Sequence, residues 1–179
     1  MKSIRCLFFR SDLQRPIGTT FTLPPYYTAG WWWPRPASIV PSGLWLSWKL
    51  LTWWVLFFVL GIGASRYRIF TVHSPDRRLV HYSLIFPKYF RFPFMNAADL
   101  QIGSTWTEPG FRGQGLAAYA VQEILRAERR PEQVYWYVVA ENNLSSIHVA
   151  QKSSLELYGA GQRLNRWGSS LLGIFVIDR

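Results

Sequence analysis

The chain has 179 residues, 49% of them hydrophobic, which suits one domain with a core of its own and excludes a globally disordered chain. Its 20 Lys and Arg against 10 Asp and Glu leave a net charge of +10, which disfavours cationic partners and favours phosphorylated ligands, anionic lipid heads or nucleic acid. The single cysteine, Cys6, excludes an intrachain disulfide and a Cys-clustered zinc site.

Residues 4–9 read as a first strand, with Cys6 a buried thiol among apolar neighbours rather than a nucleophile. Residues 15–42 carry Pro16, Pro24, Pro25, Pro34, Pro36 and Pro41, which forbid a long helix. An extended loop is expected there, its Trp31, Trp32 and Trp33 covered by the protein's own body, by a substrate or by a membrane. Residues 44–62 are strongly apolar. As one helix they would reach roughly 28 Å, against about 30 Å for a bilayer core. Three readings stay open: a spanning helix with Lys49 snorkelling, a buried or groove-lining helix, and a helix lying on a membrane surface.

Residues 66–72 and 79–86 alternate as strands, and Ser74, Pro75, Asp76 and Arg77 between them are turn formers, so a hairpin is predicted. Residues 100–107 form a third strand, followed by a loop at 108–114. A helix is predicted over 115–129, where Leu116, Tyr119, Ala120, Ile124 and Ala127 recur at helical spacing and Pro131 closes the run. Residues 134–140 are an apolar strand, 143–153 a shorter helix, Gly159 and Gly161 punctuate the tail, and 171–177 are a last strand. This order implies a mixed sheet with helices on its faces.

The chemistry concentrates in residues 105–125, TWTEPGFRGQGLAAYAVQEIL. Gly113 and Gly115 let backbone approach a ligand, and a helix begins at once, presenting free N–H groups and a positive dipole end to an anion. Arg112 adds charge at the mouth. No Gly-Lys-Ser/Thr follows, which excludes a P-loop, and G-x-G-x-x-G is incomplete, which excludes a dinucleotide fingerprint.

Arg112-Gly113-Gln114-Gly115-Leu116-Ala117 resembles the R/Q-x-x-G-x-G/A signature of the Gcn5-related N-acetyltransferase (GNAT) superfamily. Asn143, Ser146 and Lys152 are similar to that family's second CoA-side motif, and the resemblance runs from about Arg66 to Arg179. It implies an α/β (α+β) fold with a mixed, mostly antiparallel central sheet and helices on both faces. It also implies one domain over 1–179, with a variable aromatic acceptor-side portion at 1–65 and a CoA-binding core at 66–179. The co-substrate implied is acetyl-CoA or another acyl-CoA, with no metal. The backbone of Arg112, Gly113, Gln114, Gly115, Leu116 and Ala117 would hold its pyrophosphate. Trp106 and Thr107 would flank the pantetheine arm, with Asn143 and Ser146 on the CoA side.

Such enzymes need a base for the amine and an acid for the thiolate. Candidates for the base are His81, Asp99 and Glu141; against them, His81 also reads as a satisfied strand histidine, Asp99 as a turn residue and Glu141 as a solvated helix-start acid. Relatives often carry the acid as a Tyr on the second motif's helix, where this chain has Ala150, and Ser154-Leu155 replaces a frequent Gly-Phe. The aromatic N-terminal part resembles relatives of surface-polysaccharide gene sets, which implies a small-molecule amine acceptor on an amino sugar or nucleotide sugar. A cytoplasmic location is expected, with membrane association through 44–62 and a homodimer held open. Rival readings are a membrane-anchored acyltransferase, an acyl-CoA-binding protein without turnover and a nucleic-acid-binding module, although the chain carries no DNA- or RNA-binding signature.

Overall fold

The structure, a computed structural model, describes residues 4–12, 21–45, 47–59, 66–127, 130, 132–166 and 169–178. In chain order the elements are β1 (Ile4–Ser11), β2 (Thr28–Trp32), α1 (Trp48–Val59), β3 (Arg68–His73), β4 (Leu79–Pro87), β5 (Leu100–Thr107), α2 (Leu116–Ala127), β6 (Tyr135–Ala140), α3 (Leu144–Lys152), β7 (Leu155–Arg166) and β8 (Ser169–Ile177). The strands form one sheet ordered β2-β3-β4-β5-β6-β1-β7-β8, in which β5–β6 is parallel and the other pairs are antiparallel. This is the mixed α/β, mostly antiparallel architecture expected.

Strand alternation splits the core between the two faces. Phe9, Tyr135, Tyr137 and Val139 point to the side of α2 and α3, where Leu116, Ala120, Val121, Ile124 and Ala150 meet them. Cys6, Phe8 and Trp136 point the other way, to Leu50 of α1 and to Phe92 and Met95 of the segment between β4 and β5. Cys6 is buried and free, and burial raises its thiol pKa.

Several expectations are corrected. β2 lies inside the stretch expected as loop: residues 28–32 contain no proline, and β2 pairs with β3 at the edge of the sheet, where flanking Pro25 and Pro34 are tolerated. Gly159 and Gly161 lie within β7, not in a turn. A Cβ at Gly161 would stand 2.1 Å from the Val176 carbonyl oxygen and 2.8 Å from Phe8, so close strand approach is what requires glycine. β1 sits between β6 and β7 inside the sheet, so the N-terminal portion and the rest of the chain share that sheet.

The predicted helix at 115–129 is Leu116–Ala127; residues 128, 129 and 131 lie outside the described residues. Of the apolar stretch at 44–62, α1 accounts for Trp48–Val59, and residues 46 and 60–62 lie outside the described residues. Leu50 is buried, whereas Trp48 and Val55 are exposed. No helix among the described residues is long and apolar enough to cross a membrane.

Candidate functional site

β5 and β6 are in register only over Leu100–Ile102 and Tyr135–Tyr137. Beyond that, β5 runs on to Thr107 and β6 to Ala140, and the two strands part into a wedge. The register of β4 with β5 also shifts between Tyr82 and Leu84, which pair with Trp106 and Gly103. One extra β5 residue is therefore bulged, and Ser104 takes a φ of 47°. A bulge leaves ladder groups free at the place where the wedge opens.

After β5 the chain makes a short 3-10 turn, Pro109–Phe111, and reaches the glycine loop. Gly113 and Gly115 have φ of 81° and 80°, left-handed values that other residues adopt at a cost. The Arg112 side chain is held by its Nε, which donates to the Thr107 carbonyl at 3.1 Å. α2 then starts at Leu116 with no acid in its first turn, and α3 likewise. The α3 N-terminus is capped by Asn143, whose side chain accepts from the Ser146 N–H at 3.2 Å and from the Ser145 hydroxyl at 2.9 Å. Gln122 donates to the Lys152 carbonyl and Ser153 to that of Ala118, which ties α2 to α3.

These parts enclose a cavity of about 670 Å³. Trp106, Thr107, Arg112, Gly113, Gln114, Gly115, Leu116, Ala117, Asn143 and Ser146 all line it. Its basic lining residues are Arg112, His148 and Lys152, and no Asp or Glu is among them. An anion is the ligand charge this wall favours.

His81, Asp99 and Glu141 do not line the cavity. His81 is fully buried; its Nδ1 lies 2.8 Å from Thr107 Oγ1 and its Nε2 3.1 Å from Ser83 Oγ. Ser83 donates to Thr105 Oγ1 at 3.2 Å, so Nε2 carries the ring proton and gives it to Ser83, while Nδ1 accepts from Thr107. Burial pushes the His81 pKa down to about 3, so the ring is neutral. Asp99 lies at the opposite end of β5, roughly 25 Å from Thr107 at strand rise. There its carboxylate accepts from the backbone N–H of Asn96 and Val134 and from Trp136 Nε1. Glu141 is exposed beyond β6 and faces Arg5 at 3.9 Å.

Phe21, Thr105 and Tyr137 line the cavity without having been singled out from the sequence. Thr105 and Tyr137 share strand phase with Thr107 and Tyr135, so the alternation carried that signal. Phe21 carried none: its ring lies over Gly115, where a Cβ would stand 3.0 Å from it, and only folding brings the two together. Ala150 is buried in the core. No group of three or more His, Cys, Asp or Glu among the described residues is placed to hold a metal ion.

The model of the acetyltransferase (GNAT) family matches residues 62–154. No curated protein matches the chain. Among solved structures, a tandem GNAT protein from the clavulanic acid biosynthesis pathway is 18% identical, with a TM-score of 0.58 over 88% of this chain and 51% of its own. A GCN5-related N-acetyltransferase from Sphaerobacter thermophilus is 16% identical, with a TM-score of 0.57 over 89% of this chain and 50% of its own. A putative acetyltransferase from the GNAT family of Novosphingobium aromaticivorans is 13% identical, with a TM-score of 0.52 over 89% and 62%. At these identities the likeness is one of fold, and the chain spans 50% to 62% of the length of these structures.

Proposed function

The chain belongs to the acetyltransferase (GNAT) family, and from that membership we propose that it transfers an acyl group, acetyl in the first instance, from acyl-CoA to the primary amine of an amino sugar or nucleotide sugar. The observation that carries this reading is the cavity itself. It joins two left-handed glycines at a helix start to the wedge between β5 and β6, in an acid-free lining.

The residues present fit CoA. The amides of the loop from Arg112 to Ala117 face a pyrophosphate, with Arg112 and Lys152 adding charge. The β5 edge beyond Ile102 has no partner in β6, so its backbone is free to bond a pantetheine arm. Bound there, acyl-CoA would supply an activated thioester carbonyl. The protein holds the amine beside that carbonyl and presents bulge N–H groups near Ser104 to its oxygen.

For the acceptor, Trp106 stacks on Tyr82 at 5.5 Å and remains 37% exposed at the cavity. An exposed indole backed by a second ring is a platform for a sugar ring. A second reading, acyl-CoA binding without turnover, is favoured by one observation: Ala150 stands where a proton-donating tyrosine is expected. The test is thiol release from acetyl-CoA over a panel of amino sugars and nucleotide-linked amino sugars. The expected result is release with one of them, and a Trp106→Ala variant whose acceptor KM rises about tenfold, more than its acetyl-CoA affinity falls. Acetyl-CoA binding with no release for any amine would select the second reading.

A further inference from the structure

We propose that Tyr137 is the acid that protonates the departing CoA sulfur, and that a one-way chain of hydroxyls through His81 reloads it. This rests on the acyl-CoA reading above. Tyr137 is the last β6 residue in register with β5, opposite Ile102, so it stands where the strands part. It lines the cavity together with Thr105 and Ser146. Burial raises the Tyr137 pKa and the two hydroxyls offset part of that, which leaves the phenol protonated and able to donate.

Donation by Ser83 to Thr105 sets the order of donors, because a neutral histidine donates from one nitrogen and accepts at the other. Thr107 donates to His81 Nδ1, His81 Nε2 donates to Ser83, and Ser83 donates to Thr105. With its oxygen already accepting, Thr105 has its own proton free for Tyr137. Both ends of this chain, Thr107 and Tyr137, are cavity wall, and the His81–Ser83 middle is sealed from solvent.

The protons balance. As the amine nitrogen bonds the carbonyl carbon and the carbon–sulfur bond breaks, sulfur takes the bonding pair and the Tyr137 proton. Thr105, Ser83, His81 and Thr107 each pass one proton toward Tyr137, and Thr107 takes the proton that nitrogen gives up. One proton leaves nitrogen, one reaches sulfur, and no outside acid or base is consumed. The position vacated by Ala150 on α3 is thereby served from β6.

The test uses free CoA as probe, with calorimetry for affinity and thiolate ultraviolet absorption for the pKa of the bound thiol. A phenol donating to sulfur stabilises the thiolate, so Tyr137→Phe should raise the bound-thiol pKa by about one unit, with CoA affinity at pH 7 changed less than about threefold. Thr105→Val should shift it in the same direction by less, and it serves as the measurement if Tyr137→Phe does not fold. An unchanged thiol pKa in a folded variant that binds CoA overturns this inference and leaves the acyl-CoA reading intact. Folded wild-type protein that does not bind CoA overturns both.

Discussion

The face of the sheet that carries α2 and α3 and the face that carries α1 are built from different materials. On the first, the cavity wall is largely backbone and small polar groups: two left-handed glycines, two acid-free helix starts, and the hydroxyls of Thr105, Thr107 and Ser146. On the second, rings pack on rings. Phe8 meets Phe94 edge-on at 5.0 Å, Phe92 stacks on Phe175 at 5.0 Å, and Phe94 meets Trp136 at 4.9 Å. The aromatic composition that invites a partner is thus spent in large part on packing, while the ligand cavity uses few side chains of notable chemistry. Both faces carry core, and the ligand cavity opens on the first.

The largest effect expected from that division is at Gly161, where β7, β8 and Phe8 crowd together. Gly161→Val should cost about 3 kcal/mol in urea unfolding, because the added atoms have nowhere to go. The folded fraction should still bind acetyl-CoA within twofold of wild type. A large loss of affinity without loss of stability would mean that the two faces are not separable in this way.

His81 sits at the boundary, buried in the sheet but bonded to cavity-wall Thr107. Its folded pKa, about 3, is below the unfolded value near 6.5, so the unfolded chain binds the extra proton between those limits. Stability from the neutral ring is therefore present above about pH 6.5 and lost as pH falls toward 3. Between pH 7 and pH 5 the loss should be about 2 kcal/mol, and His81→Gln should remove that slope. Equal slopes in the two proteins would place the titrating group elsewhere.

How much was readable follows the same divide. Glycine spacing and helix phase reveal a loop made by backbone, so Arg112 to Ala117 could be placed from the sequence, as could Asn143, whose type suits an N-cap. Side-chain packing leaves no such trace. Trp31 and Trp32 read as loop aromatics because prolines surround them, yet residues 28–32 pair with β3. The bounds of β7 were not legible because its glycines look like turns, although Gly161 answers to the closeness of β8. Asp99 drew notice as a carboxylate beside a motif strand. Only the fold shows its oxygens occupied by Asn96, Val134 and Trp136 at the far end of that strand. The hydroxyl chain through His81 joins β4 and β5, a pairing no local pattern displays.

The smallest effect lies at the end of α3. Ser154 holds a φ of 62°, a left-handed value that glycine adopts without strain. Ser154→Gly should raise stability by about 1 kcal/mol, read by chemical denaturation, without changing the cavity's affinity. A loss of stability there would mean the serine side chain has a packing role that outweighs its backbone strain.

The central claim is that the cavity between β5, the glycine loop and α3 holds acyl-CoA. Its most direct test is calorimetric titration of acetyl-CoA into wild-type protein and into an Arg112→Glu, Gly115→Trp double variant, with thermal unfolding confirming that both are folded. Saturable binding by wild type that the double variant lacks is the predicted result. A folded wild-type protein that takes up no acetyl-CoA, or a double variant that binds it equally well, would contradict the account.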